Sequence, residues 1–146
     1  MNPLEQEYSE AAATAQLAVK RERLRDMLRP FAAPEPEVHA SPHIHYRQRA
    51  EFRIWHEDGR IHYLMFGGKD SREPLRLAQF PTASRRMNAL MRELASEMAQ
   101  CSALRARLWQ VEFLDTLAGE SLVTLVYHRK LDDAWQAVAT ALAARL

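Results

Sequence analysis

The stretch HYRQRAEFRIWHEDGRIHY, residues 45–63, decides the fold of this chain. From residue 47 to residue 55 the odd positions are charged or aromatic, and the even positions, such as Phe52, are mostly apolar. Alternation with a period of two predicts a β-strand with one apolar face and one polar face. Asp58 and Gly59 follow, and this dipeptide is typical of a two-residue hairpin turn. The residues after the turn are therefore predicted to return as a second strand.

The remaining sequence predicts a single α+β domain over residues 1–146. Its mostly antiparallel sheet, a β-meander plus a later β-hairpin, is expected to pack with three or four helices, because helices and antiparallel strands alternate in blocks. The predicted elements are a helix at 4–29, a proline-rich linker at 30–42, a β-meander at 45–80 that includes the loop GGKDSREP, a helix at 82–100 and a β-β-α unit at 109–146.

Apolar residues at helical spacing predict which side of each helix faces the core. The predicted stripes are Leu17, Leu24 and Leu28 in the first helix, Met87, Leu90, Met91, Leu94 and Met98 in the second, and Leu131, Trp135, Val138 and Leu142 in the last. Each of these three faces is expected to be buried.

The composition is that of an ordinary globular domain, with 47% hydrophobic and 27% charged residues and a net charge of +1. No run approaches the roughly 20 apolar residues that cross a bilayer, and the N-terminal residues lack the basic start and apolar core of a secretory signal. The single cysteine, Cys101, has no partner for an internal disulfide. We therefore expect a cytoplasmic protein without a membrane partner.

The glycines argue against a nucleotide pocket within this chain. There are four of them, and none lies in a G-x-G-x-x-G or G-x-x-x-x-G-K pattern. A Rossmann-type site needs such a turn so that the backbone can approach the ligand. No serine, histidine and acid set is evident either, and Cys101 has no obvious activating base. We predict that this chain alone binds no cofactor and contains no catalytic residue.

Arg47, Arg49 and Arg53 share the polar side of the first predicted strand with Glu51. Guanidinium groups offer forked N–H donors that suit phosphate groups and base edges. The alternative is a solvated strand face on which Glu51 forms an ion pair with one of the arginines. The residues alone leave both interpretations open.

The histidines of this region raise the further alternative of a metal site. They are His39, His43, His45, His56 and His62. Because they lack acidic or thiolate partners at a fixed spacing, no metal is predicted. Histidines beside arginines also stack on RNA bases, which accounts for them without an ion.

Three blocks of sequence carry a resemblance to a known family. SPHIHYRQRAEFRIWHEDGRIHYLMF at 41–66, QFPTASRRMNALM at 79–91 and LVYHRKLDDAW at 125–135 resemble the N-terminal part of the bacterial tRNA (uracil-5-)-methyltransferases. Their order and spacing match along most of the chain, from about residue 8 to the end.

The resemblance implies an enzyme that transfers a methyl group from S-adenosylmethionine to C5 of a uridine, forming 5-methyluridine at position 54 in the tRNA T loop. In this family a C-terminal Rossmann-like domain carries the cofactor site and the cysteine nucleophile, and the N-terminal part grips the T arm. That catalytic domain is absent here, so the chain alone is expected to be inactive. The alternative is a stand-alone protein-interaction or dimerisation module derived from the family.

The resemblance also assigns roles to individual residues. Arg53 matches an arginine that reaches toward the target nucleotide, and His128 matches a histidine that contacts the remodelled loop. Trp109 occupies a position where an aromatic residue, typically phenylalanine, wedges against loop bases. The candidate RNA-binding residues are Arg47, Arg49, Arg53, Trp109, His128 and Arg129.

Overall fold

The computed structural model describes residues 8–66 and 74–146. In this part of the chain, the helices are α1 (Glu10–Leu28), α2 (Arg85–Gln100), α3 (Ser102–Arg105) and α4 (Asp133–Ala143), with a 3-10 turn at Arg29–Phe31. The strands are β1 (Arg49–Glu57), β2 (Arg60–Phe66), β3 (Pro74–Leu77), β4 (Leu108–Asp115) and β5 (Ser121–Tyr127). The predicted α+β class is confirmed. The start predicted for the first helix and the loop at 67–73 lie outside the described residues.

The strands form one antiparallel sheet in the order β3-β2-β1-β4-β5. The meander β1-β2-β3 turns at Asp58 and Gly59, whose φ angles of 49° and 72° give the predicted tight turn. The later hairpin β4-β5 joins the meander through β4, which pairs with the free edge of β1. As a result, β1 lies at the centre of the sheet.

One face of the sheet carries the core, and the alternation along β1 is the predicted one. Phe52 is 1% exposed and meets Tyr63, Phe80 and Phe113 edge-on, with ring centroids 5.5, 5.7 and 6.2 Å apart. Burial raises the pKa of Tyr63, whose hydroxyl donates to the carbonyl of Met91 at 2.9 Å. Such offset aromatic contacts add about 0.5–1.5 kcal/mol each to the energy of burial.

Helix α2 covers this face with the stripe that its sequence predicts. All five of its predicted stripe residues are buried. Ser84 caps the helix by accepting from the backbone N–H of Met87 at 2.8 Å. The same hydroxyl donates to the buried carboxylate of Asp115, which also accepts from Ser121 at 2.8 Å. The start of α2 is therefore tied to the end of β4 and the beginning of β5.

The other two predicted stripes, in the first and last helices, are wrong in part. Helix α1 has no buried residue, and Leu24 is 41% exposed. Instead of packing on the core, α1 is tied to the segment that follows it, because Arg25 donates to Glu35 at 2.7 Å. Leu131 is exposed and precedes α4, whereas Leu142 is buried. No described helix is long and apolar enough to cross a membrane.

Candidate nucleic-acid interface

The face of the sheet opposite the core, which we call the outer face, carries the exposed side chains of β1. Arg49 and Glu51 are exposed there, and Arg53 is half-buried. In register with β1, the neighbouring strand β4 places Gln110 beside Arg53 and Leu114 beside Arg49. The polar side predicted for the first strand is therefore one surface that extends onto β4.

A β-bulge brings Trp109 to the outer face. Leu108 pairs with Tyr127 and Gln110 pairs with Val126, so Trp109 is the extra residue in β4. Leu108 and Val111 are both buried in the core although they are three residues apart. Without the bulge, strict alternation from Val111 would turn Trp109 into the core.

Arg53, Trp109 and His128 are in contact on this face. The guanidinium carbon of Arg53 lies 3.3 Å from the centroid of the Trp109 ring. The His128 ring lies against the same indole, with centroids 4.6 Å apart and an interplanar angle of 29°. Trp109 is half-buried and His128 is exposed, so solvent reaches the cluster from the histidine side. We call these three residues the stacking cluster.

The contact with Arg53 orients the indole and keeps a positive charge beside it. A cation over an aromatic ring is stabilised by about 0.5–1 kcal/mol at an exposed site and more when desolvated. His128 is positioned by its backbone N–H, which donates to the carbonyl of Arg107 at 3.0 Å. The position of the His128 ring is therefore set by the hydrogen bond that joins the end of β5 to the segment before the bulge.

Arg129, another candidate RNA-binding residue, uses two of its guanidinium nitrogens for hydrogen bonds to backbone carbonyls. Its Nε donates to the carbonyl of Ala106 at 3.0 Å, and a terminal nitrogen donates to Ala103 at 2.7 Å. These bonds satisfy carbonyls at the end of α3. Arg129 thereby fixes the turn that leads into Trp109, and its assignment to RNA stays a prediction.

Arg49 extends the cationic surface away from the stacking cluster, whereas the guanidinium carbon of Arg47 lies 5.4 Å from the ring centroid of the buried Phe80. Arg49 lies four residues from Arg53 on the same strand face, which corresponds to about 13 Å. Arg47 precedes β1, and its backbone exchanges hydrogen bonds with Thr82 and Ser84 at 2.8 and 2.9 Å. Both side chains are exposed, and neither forms an ion pair within residues 8–66 and 74–146. Their charges therefore remain available to a ligand.

The expected ion pair between Glu51 and an arginine does not form in the described residues. Glu51 lies opposite Glu112 in the register of β1 and β4, and Glu112 accepts from Gln110 at 2.8 Å. Arg53 lies against Trp109 instead. Within the described residues, therefore, Glu51 does not organise a ladder of ion pairs, although Arg49 and Glu51 are solvated as that interpretation requires.

Two histidine rings of the opening stretch are engaged by backbone carbonyls. His45 Nδ1 lies 2.8 Å from the carbonyl oxygen of Ala83, and His56 Nε2 lies 2.7 Å from that of Leu108. Across the described ranges, no three side chains of histidine, cysteine, aspartate or glutamate gather as metal ligands would. These rings hold segments of the fold together.

The candidate RNA-binding residues named from the sequence do not include two rings that share the outer face. Trp55 is two residues beyond Arg53 on β1, and His62 is paired with Trp55 across β2. The signal was present in the sequence, because Trp55 has the same parity as Arg53 and a two-residue turn at 58–59 fixes the register of the hairpin.

The chain matches the model of the family described as tRNA (Uracil-5-)-methyltransferase over residues 12–146. Proteins named tRNA/tmRNA (uracil-C(5))-methyltransferase from Ectopseudomonas mendocina (strain ymp), Pseudomonas paraeruginosa and Pseudomonas entomophila are 55%, 53% and 52% identical to it. The matched regions cover 95%, 96% and 90% of this chain, but only 38%, 39% and 37% of those proteins. The chain thus spans about two fifths of the length of these curated relatives.

Proposed function

Because the chain belongs to the tRNA (uracil-5-)-methyltransferase family, we propose that it is the N-terminal, RNA-recognition part of an enzyme that methylates C5 of a uridine in the tRNA T loop. The family match confirms the resemblance seen in the sequence. In this proposal the outer face of the sheet holds the T arm, and the product is 5-methyluridine. The site of action is the cytoplasm, where tRNA is found.

The observation that carries the proposal is the stacking cluster. Arg53, Trp109 and His128 come from three strands or strand ends that are far apart in sequence, yet they meet on one accessible face. Flat rings and guanidinium planes are the groups on which proteins stack unpaired RNA bases. Arg49 lies about 13 Å from Arg53 on the same strand face, and neither Arg49 nor Arg47 forms an ion pair in the described residues, so their charges suit more distant phosphates of the same RNA.

The free energy lost when a base leaves the stack of the loop is comparable to the free energy gained when it stacks on this face. Extrusion of a base from a loop costs a few kcal/mol of lost stacking. Each contact between a base and an aromatic ring returns about 1–3 kcal/mol, so a base stacked on the exposed His128 side of the cluster offsets much of that cost. A loop opened in this way exposes its uridine to an enzyme that acts on C5.

The methyl donor implied by the family is S-adenosylmethionine, and the described residues do not fit it. The two described glycines, Gly59 and Gly119, lie in hairpin turns rather than between a strand and a helix. Cys101 lies at the junction of α2 and α3. We therefore assign no catalytic step to this chain and place the cofactor site and the nucleophile in the rest of the full-length enzyme. This chain alone is proposed to be inactive.

The test is the binding of a T-arm RNA hairpin to this chain at several salt concentrations. Neutralisation of three or four phosphates predicts a slope of about −2 to −4 for log K against log salt. A blunt RNA duplex of the same length and without a loop is the control, and we expect it to bind more weakly. Absence of binding at low salt, with circular dichroism showing a folded chain, would contradict the proposal.

A second candidate function, a protein-interaction module, has one observation in its favour. Leu114 and Leu122 pair across β4 and β5 on the outer face, Leu122 is 60% exposed, and Leu117 in the loop that connects the two strands is 94% exposed. Exposed apolar groups that lie together often mark contacts between proteins.

If these leucines mediate dimers, light scattering over a roughly hundredfold range of concentration should show the mass rising toward twice that of the monomer. Leu122→Glu should then restore the monomer mass, because a charge in an apolar contact is costly to desolvate. A constant monomer mass for the unmodified chain would exclude this candidate.

A further inference from the structure

Trp55 is a large aromatic side chain that the stacking cluster does not use. It is 49% exposed on the outer face, although tryptophan is on average among the more buried residue types. In the described part of the chain, no aromatic ring or guanidinium group stacks on its indole. It therefore offers a flat apolar surface to solvent.

An ion pair lies on the same strand face as Trp55, two residues further along β1. Arg76 on β3 donates two hydrogen bonds to Glu57, at 2.5 and 3.0 Å. These bonds are the main cause of the lowered pKa of Glu57, and the indole N–H of Trp55 contributes to the same shift. Glu57 has the same parity as Trp55 on β1, so its ion pair with Arg76 lies on the same strand face. The charge of Arg76 also offsets that of Glu57, so an approaching phosphate is not repelled.

A second ring lies beside Trp55. His62 is directly opposite it in the register of β1 and β2, and the Nε2 atom of His62 is 3.8 Å from a carboxylate oxygen of Glu57. Directly opposite residues in an antiparallel pair have their Cβ atoms about 4.5–5.5 Å apart. Aromatic side chains on adjacent strands of an exposed sheet form a surface on which successive RNA bases stack.

The position of Trp55 relative to Arg53 agrees with such a role. The two residues are separated by one position on the same strand face, or about 7 Å. An extended single strand of RNA covers a similar distance in about one nucleotide. A nucleotide adjacent to the one at the stacking cluster would therefore reach Trp55.

We propose that Trp55 and His62, on the same strand face as the ion pair of Glu57 and Arg76, form a second base-stacking site that takes an unpaired nucleotide next to the one held at Trp109. This inference rests on the proposed function, since it assigns a further nucleotide of the same RNA to the same sheet face. The ligand is a nucleobase in a single-stranded segment, and the recognition is by stacking, without preference for one base.

The experiment measures the affinity of a T-arm hairpin for Trp55→Ala, Trp55→Phe and Phe31→Ala. Trp55→Ala should weaken binding roughly five- to thirtyfold, whereas Trp55→Phe should retain most of the affinity. Phe31 is the matched control, because it is an exposed aromatic residue outside the sheet. Phe31→Ala should bind like the unmodified chain. Unchanged melting temperatures will show that all three variants are folded.

A scan of single abasic nucleotides through the loop identifies the stacked base. At one position of the loop, the abasic RNA should bind the unmodified chain as weakly as the intact RNA binds Trp55→Ala. The abasic RNA and Trp55→Ala combined should lose no more affinity than either change alone.

The outcomes separate this inference from the proposed function. If Trp55→Ala binds like the unmodified chain while Trp109→Ala is weakened, the second stacking site is wrong and RNA recognition stands. If Trp55→Ala weakens a loop-free duplex by the same factor, stacking on an unpaired base is wrong. If neither tryptophan matters, RNA recognition by this face fails as a whole.

Discussion

Trp109→Ala is expected to weaken the binding of a T-arm hairpin by about 1–3 kcal/mol, or roughly 5- to 150-fold. The substitution removes the one ring that contacts both Arg53 and His128, at 3.3 and 4.6 Å. Trp109→Phe should preserve most of the affinity, because phenylalanine keeps a flat face for stacking. Trp135→Phe, a change to an indole on α4, is the control and should leave binding unchanged.

A double-mutant cycle with Arg53→Ala tests whether the cluster acts as a unit. Residues in contact commonly show coupling energies of about 0.5–3 kcal/mol, and distant residues show almost none. The double variant should therefore lose clearly less than the sum of the two single losses. Additive losses would show that Arg53 and Trp109 act independently, and unchanged binding by Trp109→Ala would refute the role of the cluster.

Phe52→Ala is expected to lower the free energy of unfolding by about 3–5 kcal/mol. The side chain is 1% exposed and meets three other rings, so its removal leaves a cavity at the centre of the core. Because domains of this kind are stable by only about 5–15 kcal/mol, the loss is a large share of the total.

Urea unfolding of Phe52→Ala and of the control Phe31→Ala measures this effect. Phe31→Ala makes the same chemical change at a residue that is 77% exposed, and it should alter stability by less than about 0.5 kcal/mol. A difference below about 1 kcal/mol between Phe52→Ala and Phe31→Ala would contradict the role of Phe52. Phe52 and Arg53 are sequence neighbours on opposite faces of β1, so stability and RNA affinity are expected to respond separately.

The local parts of the fold were predictable because the pattern that specifies them is short in sequence. Alternation along β1 placed Phe52 inside and Arg53 outside, and Asp58 with Gly59 specified the hairpin turn. The stripe of α2 gave its buried face. The α1 stripe failed because helical spacing shows only that a face is apolar, and no residue of α1 is buried in the described part of the chain.

That Trp109 and His128 join Arg53 was predictable only through the resemblance to a family. Arg53 and His128 have no feature in the sequence that connects them to each other. Trp109 is the clearest case, because counting outward from the buried residues Val111 and Phe113 in β4 assigns it to the core. The bulge that reverses its direction leaves no recognisable pattern in the sequence.

By itself, the sequence determined the helices and strands, the face of β1 that carries its arginines and, through its motifs, the family. Only the tertiary structure decided that β4 pairs with β1, that a bulge turns Trp109 outward beside Arg53, and that Arg129 is committed to carbonyls at the end of α3. The reason is physical. Side-chain periodicity is fixed by backbone geometry within one element, whereas pairing between distant strands depends on the free energy of packing the whole domain.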